Sequence, residues 1–165
     1  MIIPKTWHGV TVVIPKKTLK YKLKGGAIAT ADKTRDGKPI IKVWKERKGL
    51  VNEHILNHEF AHTQLHEPGI IGLTKMQIWK REAEAEKYVH YKINHRTGDL
   101  PIKRAVYVID VMLGDAPPKM REHMASHWSE AVKYFKSRSK DLGLSKNEIA
   151  QACKYIQKRG IIRGV

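Results

Sequence analysis

The chain's 165 residues and 18.9 kDa suffice for one domain with a real core, and are too few for two ordinary ones. With 41% hydrophobic and 29% charged residues it has a globular composition, which excludes the disordered, collagenous and coiled-coil classes. The net charge of +16 sits on the flanks: residues 1–50 carry +10, residues 51–100 carry −1 and residues 101–165 carry +7. Such flanks attract nucleic acid, an anionic membrane or an acidic protein without telling which, and they also serve plain solubility.

The longest apolar run, from Val10 to Ile14, is broken by Thr11, and the start of the chain has no secretory or membrane-spanning stretch. A soluble, cytoplasmic protein without membrane contact is expected. The single cysteine, Cys153, excludes a disulfide framework and a multi-thiolate metal site. Any metal must then be held by His and carboxylate side chains.

In chain order, roughly the first 48 residues read as strands. Val10 to Ile14 is β-branched. Lys16, Lys17, Lys20, Lys22 and Lys24 interleave with Leu19, Tyr21 and Leu23 as in a strand with one basic face. Ala27–Ala31 and Ile40–Trp44 flank Arg35-Asp36-Gly37-Lys38, the turn of an antiparallel hairpin. From Leu50 the periodicity becomes helical, and it predicts helices over roughly 50–66, 75–94, 102–113, 118–138 and 146–159. Thr74 with Gln77 and Ser145 with Glu148 are capping-box pairs, and Pro101 and Pro118 suit first turns. Met120, Met124, Trp128, Ala131 and Phe135 form the apolar stripe of one helix. The last helix, carrying Lys154, Lys158 and Arg159 with Arg163 beyond it, has the look of one helix of a helix-turn-helix unit. The expected architecture is a single α+β domain over residues 1–165: antiparallel strands, a helix pair, then further helices.

The helix pair carries the chemistry. His58-Glu59-Phe60-Ala61-His62 matches H-E-x-x-H, whose two histidines project from one helix face toward a single zinc ion while the glutamate reaches the water the ion activates. With nine His and ten Glu in the chain, a chance match is on the order of 0.03. At about 100° per residue, with His58 at zero, Val51 falls at about 20°, His62 at about 40°, Ile55 at about 60° and Leu65 at about 340°. Both histidines therefore share an apolar face, where two of them without a common partner would be costly.

A hydrolytic zinc site needs a third ligand. A metzincin-like histidine would fall at position 68, which is Pro68; His66 would require one helix to wrap round the ion. The run Arg81-Glu82-Ala83-Glu84-Ala85-Glu86 offers three carboxylates. With Glu82 at zero, Ile78, Ala85, Val89 and Ile93 lie within about 60° of it, Glu86 at about 40° and Glu84 at about 200°. Glu82 is then the carboxylate inside the apolar stripe and Glu84 the one facing solvent. A zinc ion compensates a buried carboxylate; the alternative is a glutamate paired with Arg81 or Lys80 at the surface.

His58-Glu59-x-x-His62 with Glu82 twenty residues later resembles the gluzincin arrangement of thermolysin-type peptidases. Glu82-x-x-Ala85-Glu86-x-Tyr88-Val89 is similar to the E-x-x-A-N-x-F-A pattern of IrrE/ImmA-type metallopeptidases, which also place a few strands before the H-E-x-x-H helix. Glu86 stands for the usual Asn and Tyr88 for the Phe, and Asn94-His95-Arg96 stands where those proteins have Leu-Met-Pro. The resemblance spans roughly residues 27–95 and implies zinc-dependent peptide hydrolysis, in some relatives aimed at a DNA-bound repressor.

On this reading His58, His62 and Glu82 bind Zn2+, and Glu59 is the general base. The oxyanion is stabilised by one of His90, Tyr88, Tyr91, His95, His123 or His127. Glu86 orients a ligand histidine through its free ring nitrogen, and His54 and His66 act in packing or support. The substrate is a protein or peptide, and the basic flanks recruit the protein to non-specific nucleic acid or to acidic targets. The alternative is a non-catalytic nucleic-acid or partner-binding protein on a zincin scaffold.

Overall fold

The computed structural model of the chain describes residues 1–17 and 26–161. Strands β1 (Thr6–Trp7) and β2 (Val10–Val13) pair antiparallel across the turn His8-Gly9, both at positive φ (47° and 81°), the hand that matches strand twist. The expected hairpin around Gly37 joins β3 (Ala29–Lys33) and β4 (Pro39–Val43). The sheet order is β1-β2-β4-β3. Antiparallel pairing holds within both hairpins, whereas β2 and β4 run parallel, with Val12 opposite Ile41. The reason is burial: β4, whose Ile41 and Val43 are fully enclosed, takes the central position beside β2 and leaves β3 at the edge. Lys16 and Lys17 are not in a strand, and the rest of the lysine-rich segment lies outside the described residues.

Lys45–Leu50 coil into a 3-10 helix where strand was expected. Helix α1 (Glu53–Leu65) starts at Asn52, whose side chain accepts the Ile55 N–H at 2.9 Å. Helix α2 (Lys75–Tyr88) opens on the Thr74/Gln77 capping box and runs on through a π-helical turn, Val89–Ile93. Then come α3 (Ile102–Asp115), α4 (Pro118–Ser126), α5 (Trp128–Ser137), the single turn α6 (Ser139–Leu142) and α7 (Lys146–Arg159), the last opened by the Ser145/Glu148 box. The helix expected over 118–138 is two, broken at His127. Helix α4 buries nothing, while α5 turns Trp128, Ala131 and Phe135 into the core. Of the stripe, Met124 packs partly buried against that core and only Met120 is left exposed.

Helix α1 lies on the sheet, with Leu56 and Val51 against Val10, Val12, Ile41 and Val43. Helices α2, α3, α5 and α7 form a second core around Trp79, Ala83, Ile109, Phe135 and Ile149. Helix α7 buries Ile149, Ala152, Cys153 and Ile156, and Arg159 donates to Asp110 on α3 at 2.8 Å. It is thus a packed core helix; Lys154 and Lys158 are exposed on its outer side, and Arg163 lies outside the described residues. Between the two cores α1 meets α2 through fully buried Ala61 and Ala85. Two side chains this small let the helices approach closely, and the residues one turn away on each come face to face. No helix among the described residues is long and apolar enough to cross a membrane.

Candidate metal centre

The α1–α2 seam brings His58, His62 and Glu82 together. His58 Nε2 lies 3.0 Å from Glu82 Oε2 and 3.0 Å from His62 Nε2, and His62 Nε2 lies 3.3 Å from Glu82 Oε1. Three donors bound at about 2.0–2.1 Å to one tetrahedral ion sit roughly 3.3 Å from each other, so this spacing could hold a metal, and two imidazoles with one carboxylate suit zinc.

The burial of these groups differs from the sequence reading. On α1 the enclosed residues are Leu56, Asn57, His58 and Ala61, while Leu65 is exposed. On α2 they are Trp79, Ala83, Ala85 and Glu86, with Glu86 only 2% exposed and the Glu82 side chain 20%. Glu82 is thus at the margin of the buried face and Glu86 within it, the reverse of the expectation. The cause is the second core: α2 rotates to put Trp79 and Ala83 into the C-terminal helices, which the α2 pattern alone does not reveal. Glu82 still meets both histidines, because the margin is where α2 faces the cleft.

Glu86 Oε1 accepts from His58 Nδ1 at 2.8 Å and lies 3.1 Å from His54 Nε2, so it touches the ring nitrogen of His58 that faces away from Glu82. His54, His58 and Glu86 thereby form a second group close enough to share an ion. The His58 Nδ1–Glu86 contact is, however, the hydrogen bond that would orient His58 toward Glu82. Burial works against charge on His58, but hydrogen bonds to Glu82 and Glu86 outweigh it and push its pKa up to about 10. Burial would raise both carboxylates, yet the histidines hold Glu82 well below the usual carboxylate range and Glu86 down to about 2.

A cleft of about 650 Å³ opens over these groups, between edge strand β3 on one side and α2 and α3 on the other. Glu59 lines it and accepts the Ala31 N–H of β3 at 2.8 Å, which holds the carboxylate at the strand edge. Comparison with protein-family models, curated proteins and solved structures finds no match.

None of the six expected oxyanion candidates lines this cleft. Tyr88 packs on Phe60, the Tyr91 hydroxyl donates to Gly98 O, and His123 stacks on His127 at the break after α4. Tyr107 on α3, which the sequence does not single out, does line the cleft. Its hydroxyl donates to Glu82 Oε2 at 2.7 Å, and its ring stands edge-on to His58 at 5.4 Å. Although the side chain as a whole is 38% exposed, desolvation of the hydroxyl and the Glu82 charge push the phenol pKa well above its ordinary value. The available signal was a tyrosine between Val106 and Val108 in an apolar helix, which says nothing about where that helix docks. Glu84 also departs from expectation: its Oε2 lies 2.7 Å from His66 Nε2. The chain leaves α1 at His66 with extended backbone and crosses the flank of α2, where Arg81 donates to Glu67 O at 2.9 Å, so Glu84 meets protein and not only solvent.

Proposed function

We propose that this chain is a small zincin-type metallopeptidase that hydrolyses peptide bonds with zinc held by His58, His62 and Glu82. The observation that carries the reading is the set of three donors at 3.0, 3.0 and 3.3 Å in the same cleft as the H-E-x-x-H glutamate. The motif's resemblance to gluzincins and IrrE/ImmA-type peptidases supports it. Zinc so held supplies Lewis acidity and makes a water molecule nucleophilic at neutral pH. Glu59 takes the proton from the attacking water and delivers it to the leaving amine. Tyr107, kept as a phenol by its raised pKa, would turn its single hydrogen from Glu82 to the carbonyl oxygen as that atom gains charge. Among the described residues no strand pairs with the outer edge of β3, whose Ala31 and Lys33 N–H groups donate to Glu59 and Asp32, so an extended peptide would add there in place of those side chains and lay its carbonyl into the cleft. The basic flanks would bring the enzyme to nucleic acid or acidic proteins, and the free, buried Cys153 suits a reducing cytoplasm.

The +16 charge favours a second reading, a non-catalytic nucleic-acid or partner-binding protein on the same scaffold. Mass-spectrometric identification of proteins cleaved in cells expressing wild type against Glu59→Gln separates the two. Cleavage lost in Glu59→Gln, with about one zinc per chain still bound, is the expected result. A wild type that binds no zinc, or cuts nothing that the variant spares, would overturn the peptidase.

A further inference from the structure

Glu86 supports His58 directly, but the second histidine has no such carboxylate: on α2 the residue one turn before Glu82 is Ile78, which offers no acceptor. What stands behind His62 is His66, with the two Nδ1 atoms 3.0 Å apart, and behind His66 stands Glu84, 2.7 Å from His66 Nε2. The His66 side chain is 8% exposed and that of Glu84 38%, so the series runs from the cleft to the surface.

Hydrogen-bond chemistry orders the protons along it. An ionised carboxylate only accepts, so His66 Nε2 carries the hydrogen that faces Glu84. The other nitrogen of a neutral imidazole is then a bare acceptor, so the hydrogen between the two rings belongs to His62 Nδ1. That leaves His62 Nε2 with a free lone pair, and this is the atom 3.3 Å from Glu82 Oε1 and 3.0 Å from His58 Nε2.

We propose that His66 and Glu84 are positioning residues that hold His62 in the tautomer and ring orientation a metal ligand needs. The inference rests on the metal reading of this site and extends it. His62 is supported at one remove, through an imidazole, because α1 ends at His66 and the chain swings that ring between α1 and the Glu84 flank of α2.

The test uses the full chain with zinc and, as a spectroscopic probe, cobalt. Affinities come from competition with a chromophoric chelator, and ring tautomers from nitrogen-15 NMR of the zinc-loaded protein. His66→Ala and Glu84→Ala are expected to weaken zinc binding by about 10- to 100-fold and to shift the cobalt absorption bands. Glu84→Gln, whose amide oxygen still accepts, is expected to stay within about threefold of wild type. Should His66→Ala fold poorly, His66→Gln, which keeps an acceptor toward His62, is measured in its place and is expected to recover most of the affinity. NMR is expected to find His66 protonated on Nε2 and bare on Nδ1. A His66 protonated on Nδ1, or a Glu84→Ala protein with wild-type zinc affinity, overturns the positioning role while leaving the metal site standing. A wild type that takes up no zinc overturns the metal reading and this one with it.

Discussion

Zinc uptake by the metal-free protein should release about one proton per chain at pH 8. His58 without metal is pushed up to about 10, so at pH 8 about 99% of molecules carry a hydrogen on both ring nitrogens. The metal requires His58 Nε2 bare, and that hydrogen must leave. Glu86→Gln removes one of the two carboxylates that stabilise the charged ring and moves His58 toward its ordinary 6.5, where only about 3% would be charged at pH 8. Because Glu82 remains, the variant should fall between these limits. The sign for stability follows. The folded pKa of His58 exceeds its unfolded value, so its contribution to the metal-free protein is complete below pH 6.5 and is lost as pH rises through about 10. The loss is at most about 1.4 kcal/mol per pH unit. Glu86 acts oppositely: its contribution is present above 4.5 and is lost as pH falls through about 2. Calorimetric zinc titration in buffers of different ionisation enthalpy counts the protons. Release below about 0.3 proton in the wild type, or an identical count in Glu86→Gln, would refute this electrostatic account of His58.

Tyr107→Phe should keep its zinc and lose about 100-fold in kcat with KM little changed; steady-state kinetics on a cleaved peptide will show this, and an unaltered kcat removes Tyr107 from oxyanion stabilisation. Ala85→Leu overfills the α1–α2 contact, where Ala61 and Ala85 are fully buried, and should cost about 1–3 kcal/mol in urea melts while weakening zinc binding. Wild-type stability and affinity together would contradict the close-approach argument. Ile156→Ala empties a fully buried position between α7 and its neighbours and should cost about 2–5 kcal/mol without changing zinc stoichiometry. If the basic flanks recruit nucleic acid, replacing Lys16, Lys17, Lys20, Lys22 and Lys24 together by Gln should flatten the salt dependence of DNA binding and leave zinc content unchanged. A wild type that ignores DNA at low salt removes that role.

Some of this protein is local and could be read without a fold. His58 and His62 share a helix face because four residues make about one turn. Thr74 with Gln77 and Ser145 with Glu148 cap helices because a side chain three residues away reaches an unpaired N–H. Gly37 closes its hairpin for equally local reasons. Glu82 lies beside both histidines although the local rule that singles it out has a false premise, since Glu86 and not Glu82 is the more buried carboxylate. What decided the rest is how rigid elements rotate against one another, which depends on side chains distant in sequence. Trp79 and Ala83 turn α2 into the second core, Ala61 and Ala85 set how closely α1 and α2 approach, and the docking of α3 brings Tyr107 to Glu82. The parallel placement of β4 beside β2 and the break at His127 have the same origin. Each follows from which apolar surfaces could be buried together, a choice made by the folded chain as a whole; the spacing of His66 and Glu84 likewise carries no meaning until α1 has ended and the chain has turned back across α2.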